Sequence, residues 1–352
     1  MLTFILKRLA YGFLVVFGVI VVIFFLFFAL PGDPVSTILG GKGDKETRQL
    51  ITSELGLDQP LPIQFAYYLN DLSPLAIHSA TPEAQIKYSY ISLINFGKNS
   101  LVLKRPYLRR SYLSNKRVDE ILLEDISGTL VLALTAMFFA TIVGIFLGVI
   151  AALNQNNWID YSLVTLSVLG ISIPAFVLAI VVATIFGFYL APYTGLSLTG
   201  SLYELSDTGA PQIKLKNLVL PAFTLALRPL SIIVQLTRSS MLEVLSQDYI
   251  RTARAKGLPA NKVIFKHALK NALNPVITAV SGWLASLMAG AFFIEYIFSW
   301  KGLGSTTIQA VQNLDLPIVM GATILIAFIF VVMNIIVDIL YAVVDPRIRL
   351  NG

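Results

Sequence analysis

Six stretches of the chain are apolar and almost free of charge for about 20 residues or more, the length at which a helix crosses a hydrocarbon core of about 30 Å. They are Leu9–Leu30, Ile126–Leu153, Leu163–Leu190, Leu218–Leu236, Val276–Ile294 and Pro317–Leu340. The third contains Pro174, and the fourth contains Pro221 and Pro229. In a membrane, neighbouring helices satisfy the carbonyls that proline frees, so the pattern predicts kinks there rather than ends. Polar sequence fills residues 31–125, and a basic run fills residues 239–275. The predicted fold is an all-α integral membrane protein with six transmembrane helices. Its parts are a first helix over 1–30, a segment outside the membrane over 31–125, a five-helix core over 126–345 holding the loop 239–275, and a tail over 346–352.

Composition strengthens this reading. Of 352 residues, 56% are hydrophobic and only 13% charged, with mean hydropathy +0.76. Soluble domains usually carry about 25% charge, and a disordered chain would not hold 22 Phe and 14 Tyr. The absence of cysteine removes disulfides, thiolate metal sites and cysteine nucleophiles. His78 and His267 stand too far apart in the sequence to suggest a metal cluster. The net charge of +6 is read as basic residues holding loops on the inner side of a membrane rather than as a nucleic-acid footprint.

Orientation follows from the basic residues. Lys7 and Arg8 precede the first stretch, seven Lys and Arg from Arg238 to Lys270 lie in the fourth connection, and Arg347 and Arg349 lie in the tail. With six spans these regions share the cytoplasmic side, together with both termini. The first stretch resembles a signal sequence, but it is longer than an h-region and no small-x-small site precedes Pro31-Gly32-Asp33-Pro34. It reads as an uncleaved span. In the large extracytoplasmic segment, Glu46–Leu55 is amphipathic and residues 71–100 show no clear period. A basic strip then runs from Lys104 to Arg117, read as a solvated amphipathic helix leading into the second span, with docking of an acidic partner as the alternative.

The basic loop carries the most information. Asp248 starts a helix, where its carboxylate meets the positive end of the dipole. Gly257 follows a basic last turn and fits a left-handed position just past the helix. Pro259 suits the first turn of a second helix. That helix places Val263, His267 and Lys270 on one side, with Ile264, Leu269 and Leu273 available to pack beneath. Ala253, Ala255 and Gly257 leave little bulk, so a partner's groove can approach, while Arg251, Arg254 and Lys256 add charge at the rim. A solvated basic connector is the alternative.

The stretch resembles the cytoplasmic coupling motif of permease subunits in binding-protein-dependent ABC importers, whose pattern is Glu-Ala-Ala, three residues, Gly, nine residues, Ile-x-Leu-Pro. Arg251-Thr252-Ala253 stands in the first position, Gly257 in the second, and His267-Ala268-Leu269-Lys270 in the third. The Arg and His look like the oligopeptide/dipeptide branch, and Lys270 in place of Pro leaves the second helix unbroken. Leu30-Pro31-Gly32-Asp33-Pro34, Leu55-Gly56-Leu57-Asp58-Gln59-Pro60-Leu61, Phe298-Ser299-Trp300-Lys301-Gly302-Leu303-Gly304 and Asp345-Pro346-Arg347-Ile348-Arg349 resemble further segments of that branch. Residues 71–117 look longer than the family's usual segment.

The resemblance implies a multi-pass protein of the cell inner membrane, forming half of a pathway for di- or oligopeptides. It implies as partners a second homologous permease, two ATP-binding cassette ATPases, an extracytoplasmic solute-binding protein, the peptide and membrane lipid, with no nucleic acid. Arg251, Thr252, Ala253, Arg254, Ala255, Lys256, Gly257, His267, Leu269 and Lys270 would couple to the ATPases. The chain lacks a Gly-x-x-x-x-Gly-Lys-Ser/Thr loop, the nearest stretch being Gly40-Gly41-Lys42-Gly43. No catalytic residue, metal or cofactor is therefore expected here, and ATP and Mg belong to the ATPases.

For the pathway, Gly144 and Gly148 in the second stretch and Ser286 and Gly290 in the fifth are small residues at four-residue spacing, suited to close helix packing within the subunit or against another. Arg228 is the deepest charge, read as lining the pathway or pairing with a neighbouring helix. Glu295 and Asp338 sit near span ends, where water is expected to reach them. Permeases for nickel chelates or sugars are alternatives within the family. An ion-coupled secondary transporter would show repeated halves and midplane acids, and neither is visible. An intramembrane enzyme would need a Ser–Lys or paired-Asp arrangement that the spans lack.

Overall fold

The computed structural model describes residues 2–29, 57–205 and 209–344, together with Val35, Lys45, Gln49 and Thr52. The amphipathic stretch Glu46–Leu55, the segment Leu30–Pro34, Gly40–Gly43 and the terminal Asp345–Arg349 lie outside, or almost wholly outside, the described residues. The chain divides into two compact units, one of Met1–Leu14, Asp125–Ser305 and Ile326–Gly352, the other of Val15–Glu124 and Thr306–Leu325.

In order along the chain, α1 is Leu2–Ala29, α2 Leu61–Leu72, β1 Leu75–Ser79, α3 Pro82–Tyr88, β2 Ile91–Phe96 and β3 Asn99–Leu103. Then come α4 Val118–Leu153, α5 Trp158–Ser172 and α6 Ala175–Val182, the last running on as a π-helix over Ala183–Tyr189. A two-stranded hairpin follows, β4 Tyr203–Leu205 and β5 Pro211–Ile213, and leads to α7 Lys216–Leu245. The remaining elements are α8 Asp248–Ala255, a π-helix Lys262–Leu269, α9 Lys270–Gly290, α10 Phe292–Ile297, α11 Leu303–Gln312 and α12 Leu316–Val344.

Four described helices are long and apolar enough to cross a membrane: Leu6–Phe27, Val118–Leu153, Lys216–Leu245 and Leu316–Ile339. The stretch read as one kinked third span is two helices bent by 108°. Ile173 adopts an extended backbone (φ −80°, ψ 130°) before Pro174, which opens α6. The ring of a proline disfavours the helical conformation in the residue before it, so the break falls there. Pro221 and Pro229, by contrast, stay inside α7. The expected fifth span falls on α9 and α10, interrupted at Ala291. Asn271, Asn274, Pro275, Ser281, Gly282 and Ser286 dilute the apolar character of α9.

The all-α expectation also needs correction. Residues 75–103 form a three-stranded antiparallel sheet in the order β1-β3-β2, with register Leu75↔Leu103 and Ile77↔Leu101 on one side and Ile91↔Leu103 and Ile94↔Leu101 on the other. A bulge between Ser92 and Ile94 shifts that second register. Ala76 and Val102 bury one face beneath Tyr90, Ala84 and Tyr88. Residues 104–117 are not the expected helix. Lys104 is buried and donates to the Asp71 carbonyl, Arg109 pairs with Asp71 at 3.6 Å, and Arg117 pairs with Asp119 at 2.9 Å. Lys104, Arg109, Arg110 and Arg117 thus satisfy acids and carbonyls of their own unit while Arg105 and Lys116 are exposed, so the strip does not form one solvated face.

In that unit α1 meets α2 through Phe24, whose ring lies 5.0 Å from Phe65 and 5.5 Å from Tyr68. Asp315, buried before α12, accepts from Ser111 Oγ at 2.5 Å and the Tyr112 N–H at 3.1 Å. In the other unit α7 is the central helix, packed on α5, α6 and α9.

Candidate functional site

The basic loop folds as a hairpin welded to the helices beneath it. In α8 the side chains of Ile250 and Ala253 point inward, joined by Val263, Ala268 and Ala272 from the second arm. They form one cluster with Val149 and Ala152 at the end of α4 and Met241 at the end of α7. Asn271 Nδ2 donates to Tyr249 Oη at 2.9 Å and links the two arms. Gly257 has φ +76°, a left-handed value costly for residues with a Cβ, and its N–H donates to the Arg254 carbonyl at 2.9 Å.

Two details differ from the sequence reading. Ala253 does not open a path for a partner, because it is buried in the chain's own cluster. In the second arm Val263 lies beneath with Ala268, five residues on, instead of sharing an outer side with His267 and Lys270. The backbone there is a π-helix over Lys262–Leu269. Its wider turn brings residues five apart onto one face, which a spacing of 3.6 does not anticipate. Ile264 and Leu269 pack partly against the cluster.

The outer surface is polar and basic. Arg251, Thr252, Arg254, Ala255, Lys256, Gly257, Lys262, Lys266 and Lys270 are exposed, as is the Phe265 ring, while His267 is half-buried. Among the described residues Arg251 has an ion pair with Asp248 of its own helix, at 3.5 Å and largely in solvent, a contact of little energetic weight. The second arm runs without interruption through Lys270 into α9.

An ion pair that sequence reasoning missed braces the base of the hairpin. Asp160 (1% exposed) accepts from Arg238 Nε at 2.5 Å, Arg238 Nη2 at 2.7 Å and the Asn156 N–H at 3.0 Å. In the sequence Arg238 reads only as one of the loop charges. Its guanidinium holds the Asp160 carboxyl below the usual carboxylate range. Asp160 in turn fixes the connection before α5, where Asn156 takes a positive φ.

The small residues divide between two environments. A Cβ on Gly144 would lie 2.7 Å from Ile233 Cγ2, and one on Gly148 would lie 2.5 Å from Thr237 Cβ and 2.8 Å from the Val234 carbonyl oxygen. This pair is therefore the seam between α4 and α7 within the chain. Ser286 and Gly282, one turn apart on α9, face outward, and a Cβ on Gly282 would meet nothing within 4 Å. Gly290 closes α9. Arg228 is also exposed, with no ion pair among the described residues.

Glu295 is not solvated. It is wholly buried (0% exposed) and accepts from Thr129 Oγ1 at 2.7 Å, the Gly304 N–H at 2.7 Å and the Ser305 N–H at 3.1 Å. It thereby satisfies first-turn donors of α11. The glycines of Phe-Ser-x-x-Gly-Leu-Gly gain a physical reason. A Cβ at Gly302 would lie 2.5 Å from the Glu295 carboxylate, and one at Gly304 2.5 Å from the Phe292 Cα. Asp338 is partly screened by an ion pair with Arg8 at 3.0 Å.

Away from these helices, His78 stacks on Tyr88 with ring centres 3.8 Å apart. Burial, then Lys104 and Lys87, push its pKa down to about 4. Burial also pushes the Lys104 ammonium down to about 8. Asp71 is raised by burial, against the pull of Arg109 and Lys104.

The hairpin sits inside residues 144–350, which match the family model of the binding-protein-dependent transport system inner membrane component. The chain belongs to this family. Residues 1–77 match the N-terminal model of the same membrane components. Among curated relatives, a dipeptide transport system permease protein of Alkalihalophilus pseudofirmus is 34% identical, covering 99% of this chain and 100% of that protein. A di/tripeptide transport system permease protein of Pseudomonas aeruginosa is 35% identical, covering 99% of each. A solved structure of the MetNI methionine ABC transporter in an inward-facing conformation is similar at 17% identity and TM-score 0.45, over 62% of this chain and 96% of that one. The chain is accordingly an inner-membrane transport component.

Proposed function

We propose that the chain is one permease half of an ATP-driven importer for di- or oligopeptides, with six spans and both termini in the cytoplasm. The second half is a homologous permease, peptide arrives on an extracytoplasmic binding protein, and two ATPase subunits hold the ATP and Mg. The observation that carries this reading is the two-sided hairpin. Its underside is fused to α4, α7 and α9 through Ile250, Ala253, Val263, Ala268 and Ala272, while Arg251, Thr252, Arg254, Lys256 and Lys270 face away. A surface so arranged passes a push from an outside partner into the helices and keeps its charges for recognising that partner. Full-length relatives named for dipeptide and di/tripeptide transport favour peptides as the solute. Arg228, Gly282 and Ser286 are the side of the chain we assign to the pathway or to the second permease.

Deleting Arg251–Leu273 tests the reading. The ATPases are expected to leave the membrane fraction while the shortened chain still inserts; ATPases that still co-purify with it would overturn the coupling role. Binding measurements on the solute-binding protein that delivers to this permease decide between peptides and another small solute.

A further inference from the structure

The sheet of residues 75–103 is built inside out. Along β1 and β3 the small and polar positions Ala76, His78, Ser100 and Val102 are buried, and the large aliphatic ones point away from the unit's core. Register lines these up in cross-strand rows. Leu75, Leu103 and Ile91 form one row, and Ile77, Leu101 and Ile94 the next. Phe96, beside Asn99, and Leu93 at the bulge extend the patch. Leu75, Ile77, Ile91, Leu93, Ile94, Phe96 and Leu103 are all exposed large apolar side chains. Alternation in a half-buried sheet normally puts such residues inside. Here a second face is left for something else to cover.

The nature of the face restricts what covers it. At roughly 100 Å² for each exposed side chain, the patch approaches the ~800 Å² that one partner contributes to a stable interface. It is nearly uncharged, a property of permanent interfaces; surfaces that associate and separate are no more apolar than ordinary protein surface. A shuttling receptor must leave to reload, so it is a poor match. A subunit that stays assembled is a good one. Strands β2 and β3 fall between the residues matched by the two family models.

We infer that this face is an extramembrane contact with the second permease subunit, which presents a comparable aliphatic surface. The inference rests on the proposed pairing of two permeases. It adds a subunit interface outside the membrane to the packing of helices within it.

The chain contains no cysteine, so an introduced thiol is the only one this chain carries, and the unsubstituted transporter serves as the blank for thiols on other subunits. In the complete transporter, Leu101→Cys would be coupled to a benzophenone maleimide and irradiated. Ile86→Cys, exposed on α3 on the other side of the sheet, serves as control. The expected product is an adduct between this chain and a permease subunit, from position 101 and not from 86. An adduct only with the receptor, with lipid or within the same chain, or none at all, overturns the inference. As a second measurement, Ile94→Cys is expected to lose labelling by a membrane-impermeant maleimide in the assembled transporter, while Ile86→Cys keeps it; equal labelling counts against the contact. If a second permease is absent from the purified assembly, the proposed function fails and takes the inference with it. If it is present but not cross-linked, the inference alone fails.

Discussion

Replacing Asp160 by Asn keeps the volume of the side chain and removes the charge that holds Arg238. Two charge-assisted hydrogen bonds are affected, at 2.5 and 2.7 Å. Such bonds contribute about 1.5–3 kcal/mol each when buried. Asp160 is buried but the Arg238 side chain is 26% exposed, so water recovers part of what the arginine loses. A net cost of about 1–3 kcal/mol follows. The assay is a double-mutant cycle on the heat stability of the purified protein, with Asp160→Asn, Arg238→Gln and the pair. Because the two groups serve each other, the double variant should be little worse than either single one. Strictly additive losses would refute the pairing. The pH dependence has a definite sign. Arg238 depresses the carboxyl pKa in the fold, so its stabilisation is complete above the ordinary Asp value of about 3.9. It is lost only as pH falls through the lower folded value. The gap between wild type and Asp160→Asn should therefore stay constant from pH 6 to 8; a gap that changes across that range would contradict the assignment.

Gly148→Leu should abolish the folded chain, because the new side chain meets the α7 backbone, whereas Gly282→Leu should leave the isolated chain folded; size-exclusion profiles in detergent distinguish them. Glu295→Ala strands three buried donors at about 1–3 kcal/mol each, and Glu295→Gln, which keeps an acceptor for the α11 N–H groups, should be the milder change in thermal stability. Gly257→Ala adds no clash but costs about 1–2 kcal/mol in the left-handed conformation, measurable as faster protease nicking at the hairpin tip. His78, held near pKa 4 against about 6.5 when unfolded, stays neutral in the fold. Resistance of residues 57–117 to proteolysis should be full above pH 6.5 and fall toward pH 4, and His78→Phe should flatten that slope.

The apolar runs and the hairpin were legible because each follows from local rules, namely length without charge, a carboxylate at Asp248 and Gly257 after a basic turn. The sheet was not. Its alternation is inverted, with His78 and Ser100 inside and Ile77 and Leu101 outside, and the bulge at Ser92/Ile94 breaks even that period. Pro174 looks the same in sequence whether it bends or ends a helix, and the extended backbone at Ile173 decides which. The burial of Glu295 is not legible in the sequence, because nearness to a span end says nothing of the donors that Gly304 and Ser305 bring from nine and ten residues on. The one available signal was the pair of glycines flanking Leu303, whose missing side chains make room for the carboxylate and the Phe292 backbone. Asp160 and Arg238 are 78 positions apart, and only the packing of α5 on α7 unites them.

The second arm of the hairpin and α9 share one continuous spiral of backbone, about 30 Å long in its α-helical part alone at 1.5 Å per residue. Under the proposed coupling role this makes it a drive shaft: torque applied at Lys262–Leu269 would turn Gly282 and Ser286 without any sliding surface in between. Pro275 lies within this shaft and removes one hydrogen bond a single turn above the hairpin, so the shaft carries a built-in joint where a rocking input becomes a tilt of the half that bears the small residues.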